Sequence, residues 1–304
     1  MSTKIFYFDF YQCNTIGTGS EQPGLSTDSV LLNLLHAFQE NPANTVKPVG
    51  SKLVELRHIE QTDFGFRGVI GKHRESNLPH AAIAGGEERE LVLGQDENLL
   101  EKAYFHYYST NSVLIIQKNR FCYNWLLLSK YLSDSHQNTT VNPIIQPENL
   151  NWLMRNEVRI KTLEVGIARP RNAGLFSAVN HDFNNAIIAT LNGSNSAKVN
   201  LTLRGDGRAA APENRYLDSS LKRAFTETFE TFEVEKLKLK AHDADSGLDH
   251  PIDLVAEKLT YYSDVEMGGR YPLSSSVWEA LSDAKTSKDD ELNTYFGLPG
   301  EQVV

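Results

Sequence analysis

Lys236, Lys238 and Lys240 alternate along Val234–His242, with Leu237 and Leu239 between them. A period of two sends all three ammonium groups to one face of a strand and the leucines to the other. Arg169 and Arg171 follow a second strand-like run, Arg159–Arg169, and Arg204 and Arg208 follow a third, Lys198–Arg204. If these strands pair, the cations gather on one surface and neutralise several phosphates of a nucleic acid. Arg169, Arg171, Arg204, Arg208, Lys238 and Lys240 are therefore the candidate contacts. The plainer alternative is the wet face of a half-buried sheet, where lysines meet only solvent.

A second chemistry to weigh is metal-assisted hydrolysis, which needs carboxylates converging on a divalent cation. Asp182, Asp218, Glu233 and Glu235 are the suspects, with His181-Asp182 a His-Asp dyad and Glu235-Lys236 an acid beside a lysine. Asp243-Ala-Asp245-Ser-Gly247-Leu-Asp249 begins like a calcium loop but carries leucine at its sixth and twelfth positions, so a polar turn fits it better. Gly17-Thr-Gly-Ser20 lacks the lysine of a phosphate-binding loop, and no His-Glu-x-x-His, Cys-x-x-Cys or Gly-x-Ser-x-Gly occurs. No metal ligands and no bound cofactor are expected from these patterns.

The chain of 304 residues has a net charge of -9, with 40% hydrophobic and 23% charged residues. The charge is uneven: residues 151–240 are net basic, and residues 241–304 are strongly acidic. That acidity argues against indiscriminate binding to nucleic acid. No apolar run reaches the ~20 residues that cross a bilayer, and Met1–Phe8 lacks the pattern of a secretory leader, so a cytoplasmic protein without a membrane partner is expected. The only two cysteines, Cys13 and Cys122, are read as buried, reduced thiols.

The elements that must position these groups are legible in outline. Lys4–Tyr11, Lys52–His58 and Phe66–Lys72 read as strands, and Ser29–Glu40 as a helix stopped by Asn41-Pro42. Tyr104–Arg120 reads as a hairpin around Ser109–Ser112, feeding a helix over Cys122–Tyr131. Ser133–Thr140 reads as a polar linker. Beyond it, helices are expected at Phe176–Leu191, Ser219–Thr231, Ile252–Tyr262 and Ser276–Ala284, among the three strands that carry the cations. The expected fold is α+β, with mixed or antiparallel sheets, helices packed on one sheet face, and two subdomains, 1–144 and 145–304.

Ser112–Arg120, Arg159–Pro170 and Val234–Lys240 running into Ile252–Leu259 resemble, in strand order and hydrophobic pattern, an uncharacterised family of bacterial and phage-associated proteins. The resemblance implies a mobile-element or phage-conflict setting, and no chemistry or functional residues come with it. Together these features point to a non-enzymatic binding protein of a bacterial defence, phage or mobile-element system. It would engage nucleic acid, or a nucleic-acid-handling protein, through a basic face in residues 155–240. The alternatives are a metal-dependent nuclease or phosphohydrolase and an oligomeric protein–protein adaptor, the latter with exposed strands pairing between copies.

Overall fold

A computed structural model describes residues 2–17, 25–123, 125–168, 181–194, 196, 198–224, 233–254 and 258–296. The chain opens with a long strand, β1 (Ser2–Gly17), and then forms helix α1 (Thr27–Glu40). Ser26 caps α1, its hydroxyl accepting from the Ser29 amide, while Val30, Leu31, Leu34 and Leu35 make its buried stripe. Strands β2 (Lys47–Val49), β3 (Lys52–Thr62) and β4 (Gly65–Arg74) follow. The β3–β4 turn requires glycine: at Gly65 φ is 147°, and a Cβ would stand 2.2 Å from the Tyr107 carbonyl oxygen. A two-strand ladder of β5 (Ala81–Ala82) and β6 (Glu88–Arg89) precedes the hairpin of β7 (Leu99–Tyr108) and β8 (Val113–Gln117). Helix α2 (Trp125–Leu132) comes next, then β9 (Gln137–Pro143).

Thus the expected polar linker is partly a strand. Its polar side chains find partners when buried: the Thr15 hydroxyl lies 2.9 Å from both Thr27 and Thr139 hydroxyls, and the Ser129 hydroxyl donates to the Thr139 carbonyl. Buried polar groups with partners fit a core at little cost.

Helix α3 (Pro147–Met154) leads into a second sheet of β10 (Val158–Ala168), β11 (Lys198–Arg204), β12 (Glu233–Asp243) and β13 (Asp249–Asp253). Helix α4 (Asp182–Gly193) lies between β10 and β11 in sequence, and residues 221–224 are helical. The remainder of the expected Phe176–Leu191 and Ser219–Thr231 helices lies outside the described residues. The last elements are β14 (Thr260–Gly268), β15 (Tyr271–Pro272), α5 (Ser274–Ser287) and α6 (Asp289–Phe296).

The helix expected at Ile252–Tyr262 is replaced by parts of β13 and β14. Ile252 and Leu259 suit a helix face as well as strands, and pairing decides: β14 aligns Thr260–Met267 against Ser2–Asp9 of β1. The larger sheet runs β15-β14-β1-β8-β7-β4-β3-β2, all antiparallel. β9 pairs with Tyr11–Gly17 on the edge of β1 that β14 occupies lower down. The sheets therefore do not follow chain order: strands from either side of residue 145 share the larger one. The smaller sheet runs β11-β10-β12-β13, also antiparallel.

Helices cover both faces of the larger sheet, where the sequence pointed to one. Leu114, Ile116 and Phe105 pack under α1 and α2, whereas Val113, Ile115 and Tyr104 pack under α5. The run Val113–Ile116 is apolar at every position, so neither face can be left in water. The smaller sheet has one covered face: Leu163, Val165, Leu237 and Leu239 form a core with Leu153, Ile187, Leu191 and Leu221. Among the described residues nothing packs on its other face. Cys13 and Cys122 are buried free thiols, and burial pushes the Cys122 thiol up to about 12. Among the described residues no helix is long and apolar enough to cross a membrane.

Candidate nucleic-acid interface

The open face of the smaller sheet is set by alternation. In β12, Leu237, Leu239 and Ala241 point into the core, and Lys236, Lys238 and Lys240 point out. In β11, Lys198, Asn200, Thr202 and Arg204 are exposed opposite Val199, Leu201 and Leu203. Thr162 of β10 pairs with both Arg204 and Lys240, which places these two cations in one row on either side of it. The next row aligns Thr202, Glu164, Lys238 and Asp253. Two of the expected cationic segments are thus neighbours in space.

Arg208 lies in the turn after β11, its amide held 3.0 Å from the Asp206 carboxylate. Arg169 and Arg171 lie outside the described residues.

The lysines do not stand alone. Lys238 is 2.9 Å from Asp253 and Lys240 is 3.0 Å from Asp249, both on β13, and Lys236 pairs with Glu164 on β10. Asp249 is a hub: it also accepts from Lys161 at 2.7 Å and lies 2.8 Å from His242 Nδ1. Those hydrogen bonds, Lys161 first, hold the Asp249 carboxyl well below the usual carboxylate range. Glu164 is held low mainly by Lys236, and Asp253 raises the Lys238 ammonium. Such exposed pairs are individually weak, so an incoming phosphate competes with them on nearly equal terms.

Arg204 and Arg208 have no ion-pair partner among the described residues. Near the start of β10, the Arg159 guanidinium stands 5.3 Å from the Tyr216 ring centroid, and Tyr216 stacks on His242 at 5.8 Å. Arg159 pairs with His242 across β10 and β12, so the cationic surface continues from Lys240 to this aromatic group.

Arg159, Lys161, Tyr216 and Asp249 were not among the sequence-based candidates. A signal for Asp249 existed. Asp249 and Asp253 flank Pro251 at the same period of two as the lysines, with Ser246-Gly247 between the runs. That pattern is a hairpin with opposite charges facing across it. Tyr216 carried no local signal, because it reaches the sheet from the loop after β11.

The described hydrolase suspects have separate local settings. Glu235 pairs with Lys198, the Asp218 carboxylate accepts from the Ser220 amide at 2.8 Å, and Asp182 stands in the first turn of α4. Glu233 opens β12. Among the described residues no group of three His, Cys, Asp or Glu side chains is placed to hold a metal ion. The expected calcium-like stretch is a closed turn, with the Asp243 carboxylate accepting from the Asp245 amide and the Ser246 hydroxyl.

Residues 1–287 match a family of unknown function (DUF6731), and the chain belongs to that family. No curated protein matches it.

Proposed function

We propose that this member of the family is a non-enzymatic, cytoplasmic binding protein that engages nucleic acid through the open face of the β11-β10-β12-β13 sheet. The row formed by Arg204, Thr162 and Lys240 carries this reading, because it aligns cations from two separate segments on one solvent-facing surface. Among the described residues, Arg159, Lys161, Lys198, Arg204, Lys236, Lys238 and Lys240 share this surface with Glu164, Glu235, Asp249 and Asp253, which leaves it net positive in an acidic protein.

The contacts would be to phosphates, sequence-tolerant, and of modest strength, since each lysine must leave a carboxylate. Arg169 and Arg171 extend the same proposal to the end of β10. A bacterial defence, phage or mobile-element setting belongs to it as well, and residues 155–240 are its binding part.

The experiment is a comparison of Arg204→Ala/Lys240→Ala with the unchanged protein in binding to labelled single- and double-stranded oligonucleotides. A loss of about tenfold or more supports the reading. Equal affinity of the two proteins, or binding by neither, removes it.

A further inference from the structure

Beside the first residues of β10 lies a cleft of about 830 Å³, lined by Asn156, Arg159, Asn214, Ser219, Lys222 and Arg223. This volume is within the range of small-molecule sites. The chain builds it by folding the loop after β11 back along the strand: the Asp206 amide donates to the Asn214 carbonyl, and the Leu217 amide to the Ile160 carbonyl at 2.8 Å. Tyr216, held by Arg159, closes the side toward the open sheet face.

Lys222 is the unusual member. It is only 7% exposed, and its ammonium donates to the Arg155 carbonyl at 2.6 Å. Among the described residues no carboxylate lies within ion-pair distance of it. Burial lowers the pKa of the Lys222 ammonium, and the Glu157 charge offsets this only in part from beyond contact distance. A buried ammonium without a direct ionic partner is costly, and an ammonium has three donors where one is accounted for. Arg159 and Arg223 add two guanidinium groups to the same wall. Glu213 and Asp218 also line the cleft, but Asp218 is turned to the Ser220 amide.

We propose that this cleft binds a phosphomonoester, with Lys222 as its central anchor and Arg159 and Arg223 as flanking donors. Asn156, Asn214 and Ser219 supply neutral hydrogen bonds, and Glu213 suits a donor such as an amine or sugar hydroxyl elsewhere on the ligand. The cleft shares only Arg159 and Tyr216 with the open sheet face, so the inference stands apart from nucleic-acid binding at the lysines and Arg204. A free nucleotide and the phosphorylated end of a strand offer the same group.

Calorimetric titration and thermal unfolding with inorganic phosphate, AMP, and matched 5′-phosphorylated and 5′-hydroxyl oligonucleotides test it. AMP or the 5′-phosphorylated strand is expected to bind and to raise the melting temperature. Lys222→Met should weaken that binding tenfold or more without lowering the melting temperature of the unliganded protein. Arg223→Ala, at an exposed position, should weaken it several-fold. AMP binding would identify a free nucleotide as the source, and discrimination between the two oligonucleotides a strand end. Arg204→Ala/Lys240→Ala should leave AMP affinity unchanged. The proposal is overturned if no phosphate probe binds, or if both Lys222→Met and Arg223→Ala bind as tightly as the unchanged protein.

Discussion

The Lys258 ammonium lies 2.6 Å from the Asp9 carboxylate inside the protein, although one residue stands near each end of the chain. The pair sits where β1 exchanges one neighbour for another. There the Phe10 amide donates to the Leu259 carbonyl, and the Ile144 amide to the Phe10 carbonyl. Lys258 also donates to the Tyr11 hydroxyl at 2.8 Å, and Thr260 donates to Asp9 at 3.1 Å. Burial, reinforced by the Asp9 charge, pushes the Tyr11 hydroxyl well above its ordinary value. The returning C-terminal strand is thus fastened to the first strand by a satisfied polar cluster.

Removing one partner leaves the other charge buried and unpaired. Asp9→Ala or Lys258→Ala should each cost about 3–5 kcal/mol in urea unfolding, whereas Asp9→Leu/Lys258→Met should cost much less than either single change. Costs below about 1 kcal/mol for both single changes would show that the cluster does not fasten the strand.

His106 gives the protein an acid-sensitive component. It is buried, stacks on Tyr108 at 4.3 Å, and has Nε2 3.4 Å from the Thr62 hydroxyl. Burial, with the Arg67 charge second, lowers its pKa to about 4 from the ordinary 6.5. Between those values the unfolded chain takes up a proton that the folded chain refuses. Stability is therefore unaffected above pH ~6.5 and falls as the pH drops from there toward ~4, by up to about 3 kcal/mol. His106→Gln should flatten this part of the stability-against-pH curve relative to the unchanged protein; parallel curves would contradict it.

The carboxylates of β13 restrain the open face. Asp249→Asn/Asp253→Asn releases Lys161, Lys238 and Lys240 from their partners and removes two negative charges. Affinity for a 20-nucleotide single strand should rise about tenfold or more, with a steeper dependence on salt. Unchanged or weaker binding would mean that these lysines do not meet phosphate.

Period-two segments were the most legible part of the sequence. Lys198–Arg204 is the strand read from it, and Val234–His242 falls within β12, because each has one wet and one buried face. The expected helix at Ser29–Glu40 lies within α1 for the corresponding reason at period 3.6. What local pattern could not carry was partnership. The helical pattern of Ile252–Tyr262 gives way where β1 pairs with Thr260–Met267, and the expected Ser133–Thr140 linker is partly strand because Thr139 meets Thr15 and Ser129. The same limit applies to the site. The lysine stripe was visible, but the acids facing it depend on a hairpin, and the cleft around Lys222 depends on a loop folding back to Ile160.

The most direct test of the open-face reading is fluorescence anisotropy of labelled single- and double-stranded DNA and RNA across a salt series. One arm contains Mg²⁺, and probe length is checked afterwards. The face described here predicts binding at low salt that falls steeply as salt rises, an intact probe in both arms, and a shallower salt slope for Arg204→Ala/Lys240→Ala. No binding at low salt, binding indifferent to salt, or a probe shortened in the Mg²⁺ arm would contradict it.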